Sequence, residues 1–107
     1  MGTIFQEHKF FKKWHIYPFQ IKKYKQAPSC SGVYFITTCD GLFETLQYVG
    51  SSKLMRGRLM GHPVWLNYIK LGIKCSVYVL PTRDDEHSED EKFFIRGMQP
   101  LLNIKYK

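Results

Sequence analysis

The sequence predicts an α+β fold, a small three-stranded antiparallel sheet flanked by helices. Three observations carry that expectation: two β-patterned runs joined by a turn-forming tripeptide, a third such run ahead of a proline, and helical patterning in the intervals. The resulting order is strand, strand, helix, helix, strand, helix. With 107 residues, 44% of them hydrophobic, the chain can build one core and is too short for two.

Each element has its own signal. Residues 31–38 (SGVYFITT) are rich in β-branched and aromatic side chains and run into Cys39, Asp40 and Gly41, a turn-prone set; residues 45–49 (TLQYV) resume the strand pattern, so the two form a hairpin. Residues 51–61 read as a helix weakened by Gly57, which costs about 1 kcal/mol in a helix interior. Pro63 forces that helix to finish near His62. Residues 64–71 form a second short helix closed by Gly72, and residues 74–80 (KCSVYVL) a third strand stopped by Pro81. Residues 84–96 make the last helix, with Asp and Glu at its front and Gly97 just past its end, as the helix dipole and C-cap preferences require.

The charge is strongly basic, +7, and unevenly placed. Residues 1–27 hold six lysines and one glutamate, interleaved with Phe5, Phe10, Phe11, Trp14, Tyr17, Phe19 and Tyr24, whereas residues 83–97 are net acidic. Such a balance points to a polyanion, nucleic acid ahead of an anionic membrane surface. The rings read as core, and the lysines either face phosphates or form a solvated rim. The chain is one domain, residues 1–107, with a basic aromatic N-terminal extension over residues 1–27. Cys30, Cys39 and Cys75 are odd in number and form no C-x-x-C pair, so they read as reduced and structural. No apolar run approaches the ~18 residues of a membrane span, and no signal-peptide pattern opens the chain. A soluble cytoplasmic protein with no membrane association is expected.

Several charged residues fall on faces that should be apolar. In the first helix Leu54, Met55 and Leu59 mark one arc, and Arg58 and His62, four residues apart, fall inside it. An inward Arg needs an anion, and a His beside it suits proton transfer; the bland alternative is an Arg reaching the rim and a His that merely precedes Pro63. In the last helix Phe94, Ile95 and Met98 mark the buried face, and Glu91 alone of six acidic residues lies on it. Glu91 also has a second reading, because Ser88-x-x-Glu91 spells a capping box in which it would only start the helix. Tyr34 and Tyr48 lie in the paired strands, where one register would bring their hydroxyls to one face; the plain alternative is a pair of core tyrosines with satisfied hydroxyls.

Taken together, Gly32-Val33-Tyr34, Tyr48-Val49-Gly50, Arg58 eight residues beyond that glycine, His62, Glu91 and Asn103 resemble the GIY-YIG nuclease family, as do the gaps from Glu91 to Ile95, Pro100 and Asn103. The resemblance covers residues 28–104, a GIY-YIG-like nuclease core. It implies a divalent-metal-dependent endonuclease hydrolysing DNA phosphodiester bonds by in-line attack of water. Residue by residue it implies Glu91 as the protein ligand of Mg2+ or Mn2+, Arg58 on the scissile phosphate, and Tyr34 with His62 as the base system. Tyr48 would orient phosphate or water, and Asn103 would fix the site by hydrogen bonds. A phenol is a poor base at neutral pH, short by roughly 4 kcal/mol, so Tyr34 needs a stabilising charge or His62. Lys53 is a secondary phosphate contact, and Arg56, Lys12, Lys13, Lys22 and Lys23 are the other candidate nucleic-acid contacts. His87, one turn before Glu91, reads as a surface His.

The expected partner is DNA, with RNA left open by the residues. The catalytic core uses nearly all of the length, so target choice falls to the N-terminal 27 residues, a homodimer or a specificity-giving partner protein, in a repair or recombination setting. The rival reading is a non-catalytic basic nucleic-acid-binding module, which needs the charge but no inward acid.

Overall fold

Alternation along the run GVYFI puts Val33 and Phe35 on one face of a strand and Tyr34 and Ile36 on the other, and all four are buried, so this strand is covered on both sides. The computed structural model describes residues 5–41 and 43–103. Its elements are α1 (Lys9–Trp14), β1 (Phe19–Ile21), β2 (Gly32–Asp40), β3 (Phe43–Ser52), α2 (Met55–Leu59), α3 (Pro63–Lys70), β4 (Cys75–Pro81) and α4 (His87–Met98), with single-turn 3-10 helices at Phe5–Glu7 and Tyr24–Gln26. The fold is α+β, and every pairing in the sheet is antiparallel. No helix among the described residues is long and apolar enough to cross a membrane.

The sheet has four strands, in the order β1-β4-β2-β3, rather than the three expected. The added strand comes from the N-terminal extension, where Phe19, Gln20 and Ile21 pair with Val79, Tyr78 and Val77. Three residues between Pro18 and a lysine pair carry a minimal period-2 signal, and the pairing depends on β4 offering an open edge. The extension is part of the core: Phe5 and Phe11 pack with Val33, Phe35, Val49, Tyr78, Phe94 and Ile95 on one face of the sheet. Ile21 and Ala27 pack with Tyr34, Ile36, Met55, Leu59, Val77 and Val79 on the other. Phe5 and Phe11 therefore meet the expectation that the aromatics are core, whereas Trp14, Tyr17 and Phe19 are 49%, 75% and 41% exposed.

Two helices begin or end elsewhere than expected. Ser51 and Ser52 pair with Val33 and Gly32, so β3 runs on and α2 is confined to Met55–Leu59. Within α2 only Met55 and Leu59 are buried; Leu54 is 60% exposed and Arg58 is exposed, which corrects the inward arc expected for them. At the far end α4 continues through Gly97, and Gln99 takes the left-handed closing position (φ 52°). Gly97 is instead the place where the Phe10 ring lies directly against the helix, with no room for a Cβ. The capping box is absent, because α4 begins at His87 behind Glu86 and so places Ser88 inside the first turn.

Candidate functional site

A bulge in β3 re-aims one residue of the site. Ile36 pairs with Tyr48 but Thr37 pairs with Leu46, so Gln47 is the extra residue and the strand changes face there. Without the bulge Leu46 and Tyr48 would share a face. With it Leu46 packs on the Phe35 side while Tyr48 joins Tyr34 on the other. The chain after α4 runs along this edge: Leu101 N–H donates to Leu46 O (3.3 Å) and Leu102 N–H to Gln47 O (2.7 Å). The Asn103 side chain closes the series, its Oδ1 accepting from Val49 N–H (2.8 Å) and its Nδ2 donating to Val49 O (3.0 Å). Asn103 thus imitates a paired strand between Tyr48 and Gly50.

Tyr34, Tyr48 and His62 form one cluster. The ring centroids are 6.3 Å apart for Tyr34–Tyr48, 5.2 Å for Tyr34–His62 and 5.4 Å for Tyr48–His62. Tyr34 lies opposite Gly50, and its ring and hydroxyl occupy the space a Cβ there would fill, so the glycine of the YVG triplet is the seat of the tyrosine. In the sequence Gly50 stands out only as part of the Tyr48-Val49-Gly50 triplet, and the signal for its role is that this triplet and Gly32-Val33-Tyr34 occupy the two strands of one hairpin.

His62 reaches the cluster by a different route from the one expected. It is not on the helix of Arg58: α2 has ended, Gly61 turns the chain at φ 70°, and His62 is the N-cap of α3, its Nδ1 accepting from Val64 N–H (3.2 Å). That bond sets the tautomer. With Nδ1 an acceptor, the neutral ring carries its proton on Nε2, which lies 3.0 Å from the Tyr34 Oη. His62 therefore donates to Tyr34. Taking a proton from Tyr34 through Nε2 would require Nδ1 to be protonated and the cap to be lost.

The electrostatics agree. Burial, then the nearby Arg58 cation, lowers the His62 pKa from 6.5 to about 4, so the ring is neutral at pH 7. Burial chiefly raises the Tyr34 pKa, Tyr48 and Glu91 adding to it, while Arg58, by charge and side-chain hydrogen bonding, pulls it down. Glu91 thus acts on Tyr34 from α4, whose Phe94 and Ile95 pack on the opposite face of the sheet from the Met55 and Leu59 of α2. The half-buried Glu91 carboxylate has no hydrogen-bond or ion-pair partner among the described residues.

The depressed His62 pKa has a stability consequence. Its contribution is present above pH 6.5 and is lost as pH falls through about 4, a change of up to about 3 kcal/mol, because the unfolded chain binds the proton first. Urea unfolding at pH 7.5, 5.5 and 4 should show this slope, and His62→Asn, which keeps an acceptor for the Val64 amide, should flatten it. Equal slopes in both proteins would assign the acid sensitivity to other groups.

The structure divides the basic candidates. Lys53 is exposed just after β3, and Lys22 and Lys23 follow β1 beside α2 and α3. Arg56 is partly committed, its Nε donating to Ala27 O (2.8 Å). Lys12 and Lys13 sit on α1, which covers the face opposite Tyr34, and the Lys13 ammonium lies 5.4 Å from the Trp14 ring centroid. His87 approaches the Asp84 carbonyl (3.1 Å). The three cysteines are free thiols. Comparison with protein-family models, with curated proteins and with solved structures gave no match.

Proposed function

We infer that the chain is a divalent-metal-dependent endonuclease of the GIY-YIG type, acting on DNA phosphodiester bonds. The observation that carries this reading is the convergence on one hydroxyl: His62 donates to Tyr34, and Arg58 and Glu91 act on it from two separate helices. A core of satisfied tyrosines needs neither the neutral histidine nor a half-buried carboxylate that makes no hydrogen bond or ion pair among the described residues. The net charge of +7 supplies the attraction to a polyanion.

The exposed Arg58 side chain, which also bonds to Tyr34, grips the scissile phosphate, where a guanidinium offsets the charge that builds up during attack. Tyr34 loses its own hydroxyl proton to solvent and, as the phenolate, takes the proton of the attacking water, while the His62 Nε2–H stabilises the phenolate oxygen. The base is therefore Tyr34, with His62 as hydrogen-bond donor to its oxygen. Tyr48 orients the phosphate or water from the neighbouring strand, and Asn103 holds the backbone between Tyr48 and Gly50. Because Tyr34 ionises only above the ordinary phenol range, cleavage is expected to rise with pH beyond neutrality.

Glu91 fits a magnesium or manganese ion by donor chemistry, since such ions take one or two carboxylates and keep much of their water. Among the described residues no three His, Cys, Asp or Glu side chains gather into a cage of the zinc type. When bound there, the ion would supply Lewis-acid polarisation of the phosphate and charge neutralisation.

Incubating the purified protein with nicked, branched and linear DNA, with magnesium and with a chelator, tests the reading. Cleavage of at least one substrate that the chelator abolishes is expected, and a parallel RNA panel identifies the polymer. Binding without cleavage of any substrate under any metal would leave a basic binding module.

A further inference from the structure

Beside the Tyr34 cluster lies a cavity of about 370 Å³ that the chemistry above does not use. It shares a turn with the site: Arg58 and His62 belong to the site, and Leu59 and Gly61, between them in sequence, line the cavity. One wall is Trp65, with Leu66 and Ile69 beyond it on α3, and the other is the loop Lys22-Lys23-Tyr24-Lys25. Tyr24 and Trp65 are half-buried against the core, and all three lysines are exposed. The loop is held in place. Gln26 Oε1 accepts from the backbone N–H of Lys22 and of Lys23 (3.1 Å for the latter), and Arg56 Nε pins the next carbonyl, Ala27 O, at 2.8 Å.

Few ligands need both halves of this cavity. A free anion has no use for an indole, a phenol and leucine side chains, and an apolar molecule has no use for three ammonium groups. A nucleotide has a flat apolar face to stack and a phosphate to pair, and the volume falls within the range of small-ligand pockets. Within duplex DNA the base faces are covered by their neighbours, so a base enters such a cavity only unpaired, which costs least where the DNA is already mismatched, bulged or single-stranded.

We propose that this cavity receives one unpaired nucleotide beside the scissile phosphate, so that the substrate class is single-stranded or locally distorted DNA. The proposal rests on the nuclease reading for its position in the reaction, but the cavity binds its nucleotide whether or not cleavage follows. Lys22, Lys23 and Lys25 contact the backbone phosphates on either side, and Trp65 and Tyr24 meet the base.

The sequence contains two tryptophans, so Trp14→Phe leaves Trp65 as the sole indole reporter. This full-length variant is titrated in chelator with three probes: a decathymidine single strand, a blunt duplex, and the same duplex with one central bulged nucleotide. Trp65 fluorescence is expected to be quenched by the single strand and the bulge but not by the blunt duplex. By anisotropy of end-labelled probes, which needs no indole in the protein, Trp65→Ala should weaken those two about tenfold or more and leave the duplex unchanged, while Trp65→Phe, which keeps a ring, should retain most of the affinity. Replacing Lys22, Lys23 and Lys25 together by alanine should lower the salt slope for the single strand by about 2. Absence of quenching, equal quenching by duplex, or equal quenching by heparin would overturn the proposal, the last two by showing a general polyanion surface. A magnesium arm with wild-type protein separates the two readings: cleavage without quenching removes the cavity and keeps the nuclease, and quenching without cleavage does the reverse.

Discussion

Glu91→Ala is expected to retain fold and DNA binding while losing cleavage by about a thousandfold or more, roughly 4 kcal/mol of transition-state stabilisation. The fold should hold because the carboxylate makes no hydrogen bond or ion pair among the described residues, and because α4 is fastened by Phe94 and Ile95. Removing the carboxylate has two opposed effects. It takes away the acid proposed to carry a metal, and it removes a negative charge that makes Tyr34 harder to ionise. If Glu91 acted only through Tyr34, the variant would cleave faster at neutral pH. The expected loss follows because a metal on the phosphate is worth several kcal/mol, more than one partly screened charge acting on a phenol. Single-turnover cleavage and filter binding in the same buffer check it, and unchanged or increased cleavage would remove Glu91 from the metal site.

The second large effect is expected at Gly50. A methyl group there would lie where the Tyr34 ring and hydroxyl now are, and Tyr34 is 1% exposed, with the Tyr48 and His62 rings beside it. Gly50→Ala should cost about 3 kcal/mol, the upper end of what overpacking does, and should break the 3.0 Å contact with His62. Cleavage should fall with it. Shrinking the tyrosine tests the cause. Tyr34→Leu in the Gly50→Ala background should restore part of the stability and none of the activity, a non-additivity that urea midpoints of the two single variants and the double variant measure directly. Additive losses would mean that Gly50 matters for its backbone and not as the seat of Tyr34.

Much of the fold was legible because most of its signals are local. The hairpin follows from β-branched and aromatic runs around Cys39, Asp40 and Gly41, and Pro63 and Gly72 bracket α3 by their own dihedral demands. The misreadings came from residues whose role is set by what packs on them. Gly97 has the composition of a helix stop, yet the Phe10 ring uses its missing side chain. Ser51 and Ser52 look like a helix start, yet β2 offers them partners. The capping-box spelling of Ser88 and Glu91 is undone by a helix that begins one residue earlier than the serine.

For the candidate site, the sequence by itself determined which side chains are present and their spacing, because two Gly- and Tyr-bearing triplets, a histidine before a proline and an acid at helical spacing from apolar residues are properties of the chain. Only the tertiary structure decided how they act together. The Gln47 bulge selects the face Tyr48 presents, since side-chain direction alternates along a strand and one extra residue reverses it. The Val64 amide selects the His62 tautomer, and with it the direction of the hydrogen bond to Tyr34. Both depend on backbone groups that every residue carries, so no choice of side-chain letters announces them.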